Sequence, residues 1–467
     1  MWTLKVKLNE FITLAIIFLL KISGNVCFGP EGLAGHVAVN VSDRMYFMGG
    51  SRFIPSANPI RSSIRVYNLS DEVFVLDLSS QFSTSSPPYI DLSNTSRMLY
   101  GYERGTVVLG GASRQDIFLI GGVQQDLAML NKIDNNATIT SNKTLMIEEI
   151  SKTYNQIDKF IYYYRPNATI WSYPQNQRGI VPTRRRSTAT VINKKGVMYI
   201  FGGRVQVDTG SPIFTCYNDL YSFDTVLLSW NKIDAVNAPL PQSHSAPVLL
   251  PSGKILYIGG VSQTTPGTDA DLIDMTDIRV FDTVSSTWSY KTAILKDPSI
   301  SIQPRISHTA TLTSDNNEII IIGGNSNYNY NLTTATPVFV SLNIATENYE
   351  YSELITSGDK PPLLAAHTAN LYQNYLIVAF GNITNFATPP TEISSRIYLL
   401  DMPCKVWVTT FTPGKSTCKI PSNGLINKAI IAIIVCSSIV VERLKRPTMN
   451  TAIILLESPK LNPEDIN

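Results

Sequence analysis

Short apolar runs alternate with polar, turn-forming stretches along most of this chain. The runs are too brief for ordinary helices and alternate with period two, so they predict β-strands. One kind of run ends in a glycine pair five times. Residues 45–48 precede Gly49-Gly50, 117–120 precede Gly121-Gly122, and 198–201 precede Gly202-Gly203. Residues 255–258 precede Gly259-Gly260, and 319–322 precede Gly323-Gly324. A sixth run, ending Phe380-Gly381-Asn382, is a degenerate copy. The first glycine, or Phe380, recurs after 72, 81, 57, 64 and 57 residues. A period in this range predicts a repeat architecture.

Each pair has markers on both sides. His36, His244, His308 and His367 lie 13, 15, 15 and 13 positions before the first glycine or Phe380. Ser187 takes that place in the third copy, behind Arg184, Arg185 and Arg186, and Thr106 takes it in the second. After each pair comes an aromatic and aliphatic strand, a turn residue, and an aromatic six positions later. Asp224 matches Trp230, Asp282 matches Trp288, Asn343 matches Tyr349, and Asp401 matches Trp407. Arg165 and Trp171 keep the spacing without the acid, and Asp77 to Phe82 is one residue short. An Asp or Asn there can close an Asx turn on its own backbone. The aromatic offers a large face to the neighbouring unit. The glycine pair allows a close backbone approach and a positive φ. A four-stranded unit of this kind cannot bury both faces alone, so copies must stack radially.

In order, these features resemble the kelch repeat: a basic residue and His, an apolar strand, Gly-Gly, a Tyr-rich strand with Asp, then Trp. The resemblance spans roughly residues 31–412 and implies an all-β, kelch-type β-propeller. Six blades are expected, with seven as the alternative because six blades would be long. Gly110-Gly111 lies too near Gly121 to mark a seventh. The resemblance also implies that loops after the glycine pair and loops joining blades open on one face. The insertions at 52–71 and 123–159 should rim that face, with Arg104, Arg184, Arg185, Arg186 and Arg305. Together with His244, His308 and His367, these are the candidate binding residues. Within the second insertion, the spacing of Met146, Ile150, Tyr154, Ile157 and Ile161 predicts an amphipathic helix over 145–160. Glu148-Glu149 should lie on its solvated side.

The ends carry a different pattern. Lys5 and Lys7 precede an uncharged, largely apolar run at 11–20, followed by the small residues Ser23 and Gly24. That is the order of a signal peptide over residues 1–29, too short to span a bilayer. Residues 30–412 would be the propeller and 413–424 a linker. Residues 425–441 are largely apolar and run into Glu442, Arg443, Lys445 and Arg446, leaving a polar tail at 442–467. This reads either as a marginal stop-transfer span or as a soluble hydrophobic tail. The expected location is the secretory pathway, as a secreted or single-pass type I membrane protein with the propeller outside.

Composition narrows the chemistry. Lys and Arg number 38 and Asp and Glu 36, a net charge of +2, which excludes electrostatic capture of nucleic acid as the main task. Charged residues are only 16%, which suits strands packed against strands. There are five cysteines and no C-x-x-C pair, which excludes a finger-type zinc site. Cys404 and Cys418 are a candidate disulfide, with Cys27 to either as the rival pairing, and Cys436 sits in the C-terminal apolar segment. Sequons fall at Asn40, Asn68, Asn94, Asn136, Asn142, Asn167, Asn331 and Asn382. Asn136 and Asn142, in the polar insertion, are the strongest glycosylation candidates, and Asn40, in a strand, the weakest.

All four histidines fall in the repeat register, so they are expected to be structural and no catalytic residue stands out. Kelch repeats also build copper radical oxidases such as galactose oxidase, whose metal is held by two histidines and two tyrosines. This chain has no Tyr-His dipeptide, and its one mid-chain cysteine is Cys216. No cofactor or metal is therefore expected. Asp269, Asp271, Asp274 and Asp277 form an acidic loop without the glycine and terminal glutamate of an EF-hand. The expected function is an extracellular, non-catalytic binding module for a protein or glycan. A degenerate copper-oxidase relative that binds sugar and a structural surface component are the alternatives.

Overall fold

The computed structural model describes residues 28–52, 68–154, 159–205, 214–327, 333–384 and 392–416. The chain divides into two units, Met1–Ser416 and Thr417–Asn467, and every described residue belongs to the first. The signal segment, the 425–441 segment, Cys27, Cys418, Cys436 and Asn331 lie outside the described residues.

Among the described residues, six antiparallel meanders follow one plan. Blade 1 pairs Val37–Val41, Arg44–Met48, Val73–Asp77 and Tyr89–Asp91 in that order. Blade 2 uses Gly101–Gly110, Asp116–Gln125, Ile161–Arg165 and Ile170–Ser172. In blade 3 the strands are Ala189–Ile192, Val197–Phe201, Leu220–Asp224 and Ser229–Ile233. Ala246–Leu249, Lys254–Ile258, Asp277–Asp282 and Thr287–Thr292 make blade 4. Blade 5 takes Thr309–Leu312, Glu318–Ile322, Phe339–Asn343 and Glu350–Glu353. Thr368–Tyr372, Tyr375–Ala379, Ile397–Asp401 and Val406–Val408 form blade 6. The first strand of each blade touches the first strands of both neighbours, and blade 6 returns to blade 1. These strands therefore surround a common axis, as an all-β propeller requires.

The cores lie between blades. Phe118, Ile120, Met198, Phe223 and Trp230 join blades 2 and 3. Phe201, Tyr257, Phe281 and Trp288 join blades 3 and 4. The cluster of Met45, Phe47, Phe74, Tyr375, Ile377, Phe380 and Leu399 closes blade 6 on blade 1. Burying such side chains contributes about 1.5–3 kcal/mol each, so most of the stability resides in the seams. The closing seam also has a short ladder, Thr410–Phe411 on Phe82–Ser83, with Phe82 and Phe411 stacked at 5.0 Å.

The glycine pairs stitch these seams. In five of the six copies the second residue donates its N–H across to the next blade: Gly50 to Tyr102 O, Gly203 to Gln242 O, Gly260 to Arg305 O, Gly324 to Leu364 O, and Gly381 to Leu33 O. At the first position φ is near +60°, and a Cβ on Gly202 or Gly323 would strike the very carbonyl being approached. This is why glycine recurs there. The degenerate copy puts Phe380 at φ 58° and gains its ring contacts with Phe47 and Phe74.

The turn acids behave as expected in four blades. Asp224 and Asp282 each accept two following N–H groups, at 2.8 to 3.2 Å. Asn343 accepts from Ala345 and Asp77 from Ser79. Asp401 differs: it is fully buried and accepts from Ser416 Oγ.

Two aromatic assignments need correction. The place of Trp230 in blade 3, opposite Phe223, is held in blade 5 by Tyr351 opposite Leu342 and not by Tyr349, because that hairpin is two residues longer. In blade 1 it is held by Tyr89 opposite Leu76, while Phe82 is carried off to the closing ladder. The expected helix over 145–160 is Lys143–Lys152, preceded by Leu127–Asp134 and Ala137–Thr140. Leu130, Ile133, Met146 and Ile150 bury a small core there. Ile157 is outside the described residues, and Ile161 opens a strand. Lys152 holds Glu149 at 2.6 Å and Glu148 at 3.2 Å.

Candidate binding face

Near the start of the first strand of every blade, just before it in five and within it in blade 2, one residue adopts a left-handed backbone. These residues are Gly35, Arg104, Ser187, His244, Ser307 and Ala366, with φ between 54° and 67°. Backbone N–H groups link them around the axis: Arg104 to Gly35, Ser187 to Arg104, His244 to Ser187, Ala366 to Ser307, and Gly35 to Ala366, at 2.8 to 3.1 Å. All six are half-buried and belong to the segments that surround the common axis. Five are not glycine, and a left-handed L-residue costs about 1–2 kcal/mol. The ring bonds hold them there. This ring includes two candidates named from the sequence, Arg104 and His244.

His36, His308 and His367 sit one residue further on and are buried. His244 therefore does not share their register. Counting back from the glycine pair misplaces it, because the first hairpin of blade 5 is one residue longer than that of blade 4. Three of the four imidazoles bridge a seam. His36 Nε2 lies 2.9 Å from Thr368 Oγ1, His367 Nε2 lies 3.1 Å from Thr309 Oγ1, and His244 Nε2 lies 3.0 Å from Ser187 Oγ. Between blades 4 and 5, both nitrogens of His308 and the Oγ of Ser245 are buried without a side-chain partner. Burial holds His36 and His308 down to about 3 and His367 to about 4. Burial, then Arg204, Arg104 and Arg186 beside it, holds His244 well below its ordinary range. All four are neutral near pH 7, as structural histidines should be.

The arginines separate into two kinds. Arg185 is 2% exposed and belongs to the framework. Its Nη1 and Nη2 grip the Asp219 carboxylate, Nη1 also donates to Gly202 O, and the guanidinium lies 3.9 Å over Tyr217. Arg305 is fully buried too, donating to Gln303 O and Gly323 O. These two do not face solvent, which corrects their place among the surface candidates. Arg186 is buried beside Arg204, which stacks 4.1 Å from Phe214. Arg184 is half-buried and donates to Tyr154 O of the helical insertion. Arg104 is half-buried, 3.7 Å from Glu103. The face thus carries Arg104, Arg184 and His244, backed by Arg186 and Arg204. His308 and His367 are inside the seams.

Asp219 is the framework partner of Arg185 that sequence reasoning missed. Its signal was an acid immediately before the third strand of an Arg-bearing blade. Cys216 is a free, buried thiol pushed up to about 11 by burial, which makes it a poor nucleophile. Cys404 is disulfide-bonded, and its partner lies outside the described residues. Among the described residues no group of three or more His, Cys, Asp or Glu side chains is placed to hold a metal ion. In the acidic loop, Asp274 accepts from Thr276 and Asp277 pairs with Arg279. Asn136 and Asn142 are exposed and cap helices through their Oδ1 atoms, and Asn94 and Asn167 are also exposed. Asn382 is half-buried in a strand, and Asn40 Nδ2 is committed to Leu371 O. The side chain of Asn68 is not described. No helix among the described residues is long and apolar enough to cross a membrane.

The model of the Attractin/LZTR1 beta-propeller family matches residues 151–423, more than half of the chain. The chain belongs to that family. Its repeat, sheets and inter-blade cores are those of a kelch-type β-propeller. A Rho GTPase-activating protein, gacHH, of Dictyostelium discoideum is 32% identical over 101 residues. That stretch is 21% of this propeller chain and only 6% of the relative. Among solved structures the propeller is similar to YjhT, with 15% identity and a TM-score of 0.47 over 69% of this chain and 84% of that one.

Proposed function

We propose that this propeller is a non-catalytic binding module whose channel-mouth face takes an acidic segment of a partner protein. The observation that carries the proposal is the half-buried Arg104 on the ring of left-handed residues, with the paired, buried Arg186 and Arg204 near His244 adding positive charge. A positive rim around a half-buried ring attracts carboxylates and fixes their orientation by charge-assisted hydrogen bonds. The ring itself is rigid, and its specificity comes from the loops around it.

The proposal includes passage through the secretory pathway. The order of residues 1–29, the exposed sequons at Asn94, Asn136, Asn142 and Asn167, and the disulfide at Cys404 support it. Capture of partners by the full chain, compared with Arg104→Glu, is the test. Reversing the charge should remove the partner. An unchanged set of captured proteins would refute this face, and a captured glycan without protein would replace the partner class.

A further inference from the structure

In four blades the outer edge is covered by the chain's own lead-in segment, running parallel to the last strand. Arg178 pairs with Ser229 in blade 3 and Val236 with Thr287 in blade 4. Ile294–Leu295 pairs with Glu350 and Tyr351 in blade 5, and Ser357–Gly358 with Val406 and Trp407 in blade 6. The edge Trp N–H is used in the first two: Trp230 donates to Arg178 O at 2.8 Å and Trp288 to Val236 O at 3.3 Å.

Blade 2 departs from this plan. Its lead-in, residues 92–100, forms a short helix at Ser93–Ser96 and makes no ladder or bridge with Ile170–Ser172. Side chains alone join the two: Trp171 donates from Nε1 to Ser96 O at 2.7 Å, and Tyr164 of the neighbouring strand donates its hydroxyl to Ser96 Oγ at 2.7 Å. Beside this edge lies a small, half-open apolar hollow walled by Leu99, Tyr100, Tyr162 and Trp171. Gln124 also lines it, with a buried Oε1 that has no partner. Leu99 is 58% exposed and Ile170 56%. A sheet edge left without a ladder among the described residues, next to an apolar hollow, is the layout used for strand addition, where backbone bonds give affinity and the hollow chooses a side chain.

We infer that the outer edge of blade 2 is a second binding site, which takes an extended peptide of a partner protein as a parallel fifth strand. The peptide offers a carbonyl to Trp171 N–H, an apolar side chain to the Leu99–Tyr100–Tyr162–Trp171 pocket, and a hydrogen-bond donor to Gln124 Oε1. Its form is argued from the four lead-in segments that occupy the same edge elsewhere in this chain. This site is separate from the channel mouth, so either can fail without the other.

Amide hydrogen exchange on the full chain is the test. In the free protein, the Trp171 amide should exchange roughly a hundredfold faster than those of Trp230 and Trp288. The probe is the synthetic peptide Thr-Ala-Ile-Leu-Lys-Asp-Pro, the sequence of residues 292–298, which contains the cover of blade 5. It should slow the Trp171 amide about tenfold or more. Leu99→Glu should abolish that slowing and leave the Trp230 amide unchanged. A Trp171 amide already slow in the free chain means its own residues cover the edge, and the proposal falls. Slowing that grows with protein concentration means a second copy covers the edge, and the proposal falls in that case too. No effect of the peptide up to about 1 mM, or an equal effect on Leu99→Glu, also overturns it.

Discussion

Blades 3 and 5 begin alike and end up different. Each places an arginine just before its first strand, and each arginine donates to the carbonyl of its own first glycine, Gly202 or Gly323. In blade 3 the residue whose carbonyl receives the Gly202 N–H is Asp219, and its side chain neutralises Arg185. The matching residue in blade 5 is Val338, which receives the Gly323 N–H and offers no charge. Arg305 keeps one buried nitrogen, Nη2, without a partner, and burial lowers it to about 10. The seam entering blade 5 also lacks the imidazole bridge found at three other seams, since His308 and Ser245 make none. The same backbone plan therefore carries a compensated clamp in one blade and an uncompensated one in the other. Burying a guanidinium is tolerated where backbone carbonyls accept from it, but a carboxylate is what makes the clamp stabilising.

Asp219→Val should have the largest effect, because it turns the clamp of blade 3 into that of blade 5. It leaves a buried cation unpaired and should cost about 3–5 kcal/mol, read as a lower urea midpoint. The reverse change, Val338→Asp, should stabilise by about 1–2 kcal/mol at neutral pH. A neutral or harmful outcome would show that Arg305 is compensated in another way. Seam bridges come next. Thr368→Val removes the partner of His36 and should cost about 1–1.5 kcal/mol. Ser245→Ala should cost close to nothing, since its hydroxyl has no partner. Equal losses at the two positions would erase the distinction between the seams.

Acid should act on the seams together. The four histidines have folded values below their ordinary 6.5, with His36 and His308 at about 3 and His367 at about 4. As pH falls below about 6.5, the unfolded chain takes up protons first. Stability is therefore complete above that pH and drains between 6.5 and about 3. Thermal melts from pH 7.5 to 4 should show a falling midpoint, with a shallower slope in His36→Asn. A flat profile would contradict the buried neutral state.

The repeat made most of the fold legible. Gly-Gly and the spaced aromatics reflect constraints that each blade must satisfy locally, and local constraints leave local patterns. Register was less legible, because hairpin length varies between copies. One extra residue in blade 5 hid the offset of His244, and two more hid Tyr351 behind Tyr349. The candidate residues were placed unevenly. Arg104 and His244 fall on the ring of left-handed residues, but Arg184, Arg185 and Arg186 were read together as one rim, whereas strand alternation and the glycine stitch turn Arg185 inward. The pairing of Arg185 with Asp219 bridges 34 positions, and a sequence offers no direct sign of which acid lies opposite.

The most direct test of the binding face is titration of a short Glu/Asp-rich synthetic peptide against the full chain and against Arg104→Glu. Saturable binding is expected, weakening as salt is raised and falling about tenfold or more in Arg104→Glu. Binding that is indifferent to the substitution, or no binding by the unaltered chain, would contradict a positive channel mouth as the site of recognition.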